Sequence, residues 1–507
     1  MVVASGSRWE QSLFYALEQG RLLLATHPRD LVRGLTRPPA LDVAKLVDLV
    51  ALYDAPESTV FEGVRRLPLG HVLERSPGRP PTVRPWFTPA TDEDRAISTA
   101  EAPALMREAV RGAVAASLPA GGDVGATLSG GLDSGMVVAT ASGLLAPAGR
   151  GIHAMTHVPL PGAPEPTGSW EADDGPYAED VARSLTGVTW APVVNTDRVP
   201  PLESCRWALD RAWYPTFNPA NQEWCNQIVR DAEARGLPLL LTGASGNATF
   251  SRDNDGIVRG LLQHGRLGAL VREVRRRAAA RGALAPAARS VVRETLPRRV
   301  LAWRRAQRRR RLGVSWAMPD VADLPVRADA LSDAARADLA LLAQEFPPAG
   351  RDMWLDFVRL DTSRHGFPQN LSDDVWWSDP LSDPEVVALA LRLPEEAWLA
   401  GGRNRGLARE AAAGLLPDRV RLRTTNGGQS ADVDQWVRGQ EQAYRGLVDR
   451  FRESPTVRQV LDVERLATAV GPEMTDPATA SVWQDIHGRA FAIGQFAVWY
   501  EDRVRSG

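Results

Sequence analysis

Hydrophobic and polar positions follow two different periods in the first hundred residues. Apolar runs over residues 14–17 and 22–25 flank Glu18, Gln19 and Gly20, a pattern that predicts a β-hairpin. Helical spacing follows over residues 42–53, and residues 59–74 predict a turn and a strand. Residues 75–100 are rich in Pro, Thr and Asp and predict an interdomain linker.

Beyond residue 99, short apolar runs alternate with amphipathic stretches. The predicted strands cover residues 124–128, 152–158 and 239–241, and the predicted helices cover residues 104–115, 136–142 and 175–185. Short strands that alternate with helices are typical of a parallel α/β sheet. After about residue 330 the pattern is mainly helical.

Composition excludes several classes of protein. The chain has 507 residues, 44% of them hydrophobic and 24% charged, with a net charge of −2. Two cysteines, Cys205 and Cys225, are too few and too far apart for a disulfide scaffold or a CxxC metal site. No apolar run is long enough to span a membrane, and the N-terminus does not resemble a signal peptide. We expect a cytoplasmic protein without membrane or nucleic-acid partners.

Arginine dominates the basic residues, because only Lys45 of the 60 is a lysine. Residues 267–312 carry 15 arginines against Glu273 and Glu294, and we expect two helices there, broken near Pro286 and Pro297. The arginine runs at 275–277 and 308–311 surround a helix and favour exposure. Two interpretations stay open: a solvated surface excursion, or a docking face for an acidic peptide, a protein partner or RNA.

One glycine-rich string lies between the first predicted strand of this sheet and its helix. It consists of Leu128, Ser129, Gly130, Gly131, Leu132, Asp133 and Ser134. The glycines allow a tight turn whose N–H groups converge, and the helix N-terminus adds positive potential. Ser134 can add a hydroxyl, and Asp133 can bind a magnesium ion that bridges phosphates. The string therefore predicts a pyrophosphate cradle, and the chain has no P-loop GxxxxGK(S/T) motif.

This string resembles the SGGxDS loop of the N-type ATP pyrophosphatases. Further segments resemble the asparagine synthetase superfamily: residues 174–179, Asn218-Pro219, LLLTGASGN at 239–247, DPLSDPEVVALALRLP at 379–394 and GRNRGLARE at 402–410. The resemblance implies a parallel-sheet α/β synthetase domain over residues 91–507, of the adenine nucleotide α-hydrolase-like class, with a helical C-terminal part. It also implies a partial, β-rich Ntn-glutaminase-like domain over residues 1–90.

Three departures from the family narrow the expected function. Residues 2–13 contain no cysteine nucleophile, and the first half of the glutaminase-like domain is not represented, so glutamine is not the expected nitrogen donor. Ala244 and Asn247 occupy positions where the family has Glu and a magnesium-binding Asp. Residues 421–436 replace the family's "R.K.GF" segment and, with SGNATFS, resemble the lasso peptide cyclases, although Asn426 stands where many of these have a basic residue.

The resemblance implies a site and its ligands. ATP would lie against residues 128–134 and 152–158 and against Thr242 and Gly243, with Mg²⁺ held by Asp133 and Asn247. Arg405 stands where the family has Lys; with Arg409, four residues further along a predicted helix, it would clamp pyrophosphate. The substrate would be a carboxylate of a ribosomal precursor peptide, and the partners would be a leader-binding protein and a peptidase.

Other interpretations stay open at this point. They are small-molecule amidation, as in asparagine or β-lactam synthesis, tRNA modification, and a non-catalytic homologue. The candidate bases are Glu179, Glu223 and Asp361, each of which suits a surface or cap role better, and His365 suits a structural role. The aromatic pairs Trp376-Trp377 and Trp213-Tyr214 suit core packing, or alternatively an apolar groove for a peptide.

Overall fold

The structure, a computed structural model, describes residues 1–5, 12–76, 78–94, 96–165, 170–254, 256–296, 300, 324–337, 351, 354–355 and 371–506. The described strands are β1 Val2–Ala4, β2 Leu13–Glu18, β3 Arg21–Ala25, β4 Val64–Leu67, β5 His71–Glu74, β6 Thr82–Pro85, β7 Val124–Thr127, β8 Ile152–His157, β9 Trp170–Glu171, β10 Val188–Val193, β11 Leu239–Leu241, β12 Trp376–Ser378 and β13 Asn426–Gly427.

The helices of the described residues come in two groups along the chain. Those before residue 300 are α1 Pro28–Gly34, α2 Val43–Val50, α3 Ala102–Ser117, α4 Leu132–Leu145, α5 Gly175–Arg183, α6 Pro201–Ala212, α7 Pro219–Arg235, α8 Gly246–Thr249, α9 Ile257–Gln263, α10 Leu267–Arg281 and α11 Leu284–Glu294. The later helices are α12 Pro384–Arg392, α13 Glu395–Trp398, α14 Gly406–Ala411, α15 Asp418–Arg421, α16 Val433–Val437, α17 Glu441–Glu453, α18 Pro455–Val460, α19 Val463–Ala469, α20 Ala480–Trp483 and α21 Arg489–Ser506.

A five-stranded parallel sheet organises the molecule. Its order is β10-β8-β7-β11-β12, and each neighbouring pair is parallel. The chain starts in the middle at β7, runs outward through β8 to β10, and then returns to build β11 and β12 on the other side of β7. The predicted parallel α/β fold is thereby confirmed. Helix α4 begins at Leu132, four residues before the predicted start, because Gly131 is its N-cap.

The N-terminal region forms two small antiparallel sheets. The predicted hairpin is confirmed as β2 and β3, which turn at Gln19 and Gly20. Residues 59–74 form two strands rather than one, β4 and β5. The predicted linker is not continuous, because β6 lies inside it and pairs with β5.

This N-terminal region shares its core with the C-terminal helices. The ring of Phe61 lies 6.0 Å from that of Phe496 and 5.2 Å from that of Tyr500, both on α21. Buried residues of β2, α1 and α2 belong to the same hydrophobic cluster as those of α16 to α21. Burial of these apolar side chains joins the two regions. The predicted domain boundary near residue 90 stays a prediction.

The arginine-rich helices neutralise part of their own charge. They break at Gly282, whose φ is 68°, while Pro286 lies within the first turn of α11, where proline is tolerated. Arg277 is buried and pairs with Glu273 at 2.6 Å and with Glu294 at 2.5 Å, so the predicted exposure is wrong for this residue. The second arginine run and Pro297 lie outside the described residues. Among the described helices, none is long and apolar enough to cross a bilayer.

Candidate active site

The sheet order places a crevice beside β7. The chain leaves β7 toward one edge of the sheet and later returns to β11 on the opposite side, so β7 and β11 flank a topological switch point. In open α/β sheets, ligands bind at such a point, outside the carboxyl ends of the strands. The chain leaves these ends through residues 128–134 and residues 242–245. They contain the predicted ATP-binding residues 128–134, Thr242 and Gly243.

The first loop turns sharply and is held in place by close packing and hydrogen bonds. Gly130 has φ 63°, and a Cβ there would lie 2.6 Å from the Tyr177 Cβ, which leaves room only for glycine. The Leu128 N–H donates to the Met155 carbonyl at 2.8 Å. The Ser129 N–H donates to the Ser134 hydroxyl at 3.0 Å. These contacts set the N-terminus of the 14-residue helix α4 at the crevice, where its unpaired N–H groups favour an anion.

Asp133 is enclosed in the first turn of α4. Its Oδ2 accepts a hydrogen bond from the Ser251 hydroxyl at 2.9 Å, whereas its Oδ1 is buried without a hydrogen-bond partner. Burial raises the pKa of Asp133, and the positive charge of Arg405 opposes that rise. A Cβ on Gly246 would overlap this carboxylate, so the loop after β11 needs glycine there. An unpaired buried oxygen costs stability, and a bound cation would satisfy it.

The loop after β11 packs directly on the start of α4. A Cβ on Gly243 would lie 2.8 Å from the Ser134 nitrogen, and the Thr242 N–H donates to the Ser378 carbonyl at 2.9 Å. The structure therefore brings Thr242 and Gly243 to the predicted pyrophosphate loop. Ala244 and Asn247 are exposed in the same loop and its short helix α8.

The two predicted arginine ligands have different environments. Arg405 precedes α14 in a left-handed conformation, and its Nη1 donates to the Ser251 hydroxyl at 3.4 Å. Arg409 is buried and donates to three backbone carbonyls, those of Asn404, Arg421 and Arg423. The helix begins at Gly406, so the two side chains do not share a helical face as the spacing suggested. Their role toward pyrophosphate stays a prediction.

A further cation lies close to the loop and was not singled out from the sequence. The Arg423 guanidinium sits 3.9 Å from the Tyr177 ring centroid and 2.6 Å from Asp174 Oδ1. The Tyr177 Cβ, the Ala178 nitrogen and the Asp174 carbonyl oxygen are the atoms nearest to a Cβ added at Gly130. Burial raises the pKa of Asp174 despite this arginine. The sequence signal that points to Arg423 is its place in the RLR string at residues 421–423, within the segment that differs from the family.

The candidate bases occupy other places in the fold. Glu179 pairs with Arg183 at 2.5 Å along α5, and Glu223 pairs with Arg230 at 2.5 Å along α7. Asp361 and His365 lie outside the described residues.

The paired aromatic residues mostly support the core-packing interpretation. Trp377 is buried in a hydrophobic cluster with Leu240, and Trp213 packs edge-on against Trp499. Trp376 is exposed, at the amino end of β12 and away from the two loops. Tyr214 is enclosed, and its hydroxyl pKa is raised by burial. These side chains therefore do not form a groove at the site.

Magnesium binding can be tested against the observed donors. Within the described residues, no group of three or more His, Cys, Asp or Glu side chains is arranged to hold a metal. Mg²⁺ in nucleotide sites commonly uses one or two carboxylates together with substrate phosphates. The unpaired Oδ1 of Asp133 fits that requirement as a single protein ligand.

A parallel α/β sheet with a glycine-rich anion loop at its switch point defines a nucleotide-binding α/β protein. Residues 105–352 and 379–500, more than half of the chain, match the family described as asparagine synthase. The chain belongs to the asparagine synthase family, which makes it an ATP-dependent ligase that forms carbon–nitrogen bonds. A search of curated proteins finds no match to the chain.

Proposed function

We propose that this ligase adenylates the side-chain carboxylate of a precursor peptide and joins it to the peptide's own N-terminal amine as a macrolactam, as lasso peptide cyclases do. The observation that supports adenylation is the arrangement at the switch point. The N-terminus of α4, the unpaired Oδ1 of Asp133 and the nearby Arg405 present one site to a polyphosphate.

Two bond changes make up the reaction. First, a carboxylate oxygen attacks the α-phosphorus of ATP, the bond to the β-phosphate oxygen breaks, and pyrophosphate leaves. Then the amine attacks the acyl carbon, AMP leaves with the electron pair of the acyl–oxygen bond, and one proton is released. The protein's contribution is positioning and charge neutralisation.

Residues of the chain have separate tasks in this proposal. The unpaired N–H groups at the start of α4 bind the leaving pyrophosphate, and Arg405 neutralises its charge. Asp133 and, through one amide oxygen, Asn247 would hold Mg²⁺, which supplies further neutralisation of the phosphate charge when bound. Arg423 holds Asp174 and Tyr177 against Gly130 and so maintains the shape of the loop.

The loop after β11 supports a peptide substrate because it has no acid–base group at position 244. Ala244 is exposed there and offers no acid–base group. An α-amine has a pKa of about 8, so a sizeable neutral fraction exists near neutral pH without a strong base. The SGNATFS string and residues 421–436 support the same branch, whose members act beside a leader-binding protein and a peptidase.

The second candidate is amidation of a small molecule such as aspartate, favoured by the family match itself. The experiment supplies ATP, Mg²⁺ and peptides that carry one Asp or Glu near the N-terminus, and follows loss of water by mass spectrometry. The matched controls replace that residue by Asn or Gln, or acetylate the N-terminus. Water loss only with the free acid and free amine supports the cyclase. Amidation of free aspartate with no peptide product overturns it in favour of the second candidate.

A further inference from the structure

Ser251 lies between two residues that the proposed function uses. Ser251 is 1% exposed, and it follows the short helix α8 in the chain. The hydroxyl donates to Asp133 Oδ2 at 2.9 Å, and Arg405 Nη1 approaches the same hydroxyl oxygen at 3.4 Å. One hydroxyl therefore connects the first turn of α4 with the residue that precedes α14.

The direction of both hydrogen bonds follows from their chemistry. An ionised carboxylate only accepts and a guanidinium only donates, whereas a hydroxyl does both. Ser251 can thus give its single proton to Asp133 while its lone pair accepts from Arg405. Alanine cannot bridge the two groups, and a threonine hydroxyl can.

The backbone around Ser251 is fixed on both sides. The Ser251 N–H donates to the Gly246 carbonyl at 2.7 Å, and Phe250 is fully buried. The next residue, Arg252, is buried with its guanidinium carbon 4.5 Å from the Trp354 ring centroid and its Nη2 3.5 Å from Glu395 Oε1. Such a clamp leaves the hydroxyl little freedom to seek other partners.

We propose that Ser251 is a positioning residue that couples Arg405 to Asp133. It holds Asp133 with Oδ1 unpaired beside Gly246, and it keeps the Arg405 guanidinium beside the first turn of α4. This inference rests on the proposed function in that it assigns ATP phosphates to the site. It does not depend on which carboxylate is activated.

The test compares Ser251→Ala, Ser251→Thr and Ser251→Cys with the unaltered protein. The readouts are binding of Mg·ATP by calorimetry and the kcat and KM for ATP in pyrophosphate exchange. Losing a hydrogen bond to a charged group corresponds to about 10- to 100-fold. We expect Ser251→Ala to lower kcat/KM for ATP by that factor, Ser251→Thr to restore most of it, and Ser251→Cys to be intermediate. KM for the carboxylate should not change.

Two controls separate positioning from simple folding defects. Ser142 is a buried serine of α4 whose hydroxyl donates to the Thr186 carbonyl at 2.7 Å, far along the helix from the crevice. Ser142→Ala should alter thermal stability without changing the KM for ATP. In a double-mutant cycle, Ser251→Ala should cost much less in an Arg405→Ala background. Independent, multiplicative effects would overturn the coupling.

The outcomes distinguish this inference from the proposed function. If the unaltered protein binds ATP, performs no peptide-dependent exchange, and Ser251→Ala weakens ATP binding, the peptide reaction fails and the inference stands. If Ser251→Ala binds ATP and exchanges pyrophosphate within twofold of the unaltered protein, the inference is wrong. If Ser251→Ala does not fold, the Thr and Cys variants decide: equal activity in both overturns the proposal, because a thiol is a poor bridge.

Discussion

At the scale of single residues, Arg405 and Arg409 illustrate that sequence spacing alone does not predict the environment of a side chain. Both arginines were predicted to clamp pyrophosphate from one helical face. The left-handed conformation of Arg405 places it before the helix, and three carbonyl groups occupy the donors of Arg409. Burial lowers the pKa of Arg409 to about 10, so it remains charged at neutral pH.

This difference predicts opposite phenotypes for two alanine substitutions. Arg409→Ala removes three hydrogen bonds from a buried cation, so it should reduce the free energy of unfolding by on the order of 3 kcal/mol. Arg405→Ala should change stability by less than about 0.5 kcal/mol and raise the KM for ATP. Urea unfolding and exchange kinetics on both variants check this. A stability loss in Arg405→Ala equal to that in Arg409→Ala would contradict it.

The residues of the glycine-rich loop can be recognised from the sequence because they are contiguous. Residues that only the fold brings together cannot be recognised in this way. Asp133 and Ser134 stand in one recognisable string. Arg423 reaches that string only through Tyr177 and Asp174, about 250 residues earlier in the chain. No local pattern encodes such a contact, because it depends on how two distant loops pack.

At the scale of elements, the strand–loop–helix unit of β7 and α4 was predictable and its exact limits were not. Apolar runs bounded by glycine indicate a strand and the start of a helix. Strand order was not predictable, because the pairing of β7 with β11 joins segments more than a hundred residues apart. Gly130 of the loop and Gly143 of α4 provide a matched comparison at this scale.

Gly130→Ala and Gly143→Ala should have opposite effects on stability. Gly130 has positive φ, and a Cβ there would crowd Tyr177 and Ala178. Its replacement should lower the free energy of unfolding by more than about 1 kcal/mol and weaken ATP binding. Gly143 lies exposed within α4, and a Cβ there would meet no other atom, so alanine should stabilise by about 0.5 to 1 kcal/mol. Thermal melts of both variants measure the difference, and destabilisation by Gly143→Ala would contradict this account of the helix.

At the scale of the whole molecule, the predicted division into two regions is only part of the organisation. Hydrophobic patterning identified β-rich and α/β portions of the chain. It could not indicate that Phe61 packs against α21, because an apolar face does not specify its partner. The same packing encloses polar side chains that respond to pH.

Because two histidines are enclosed, we expect the free energy of unfolding to rise with pH. Burial lowers the pKa of His157 to about 4 and that of His487 to about 4. Unfolded histidine titrates near 6.5, so between about pH 4 and 6.5 the unfolded chain binds protons that the folded chain does not. The contribution of these histidines to the free energy of unfolding is complete above about pH 6.5. Below that pH it falls by on the order of 1 kcal/mol per pH unit for each histidine.

The check is urea unfolding at pH 5 and pH 7. His157→Phe keeps a ring against Trp224 and Trp436 and removes one titrating group. The variant should lose less stability on acidification than the unaltered protein. An equal loss in both would show that His157 does not contribute to the pH dependence.

The most direct test of carboxylate activation at the α4 loop is ATP–pyrophosphate exchange, comparing the unaltered protein with Asp133→Ala. We predict exchange that requires Mg²⁺ and an acidic peptide and that falls by about 100-fold or more in the variant. Glu108→Ala, an exposed carboxylate on α3, should exchange normally. Equal exchange with and without the Asp133 carboxylate, or no exchange by the unaltered protein with any carboxylate, would contradict the account.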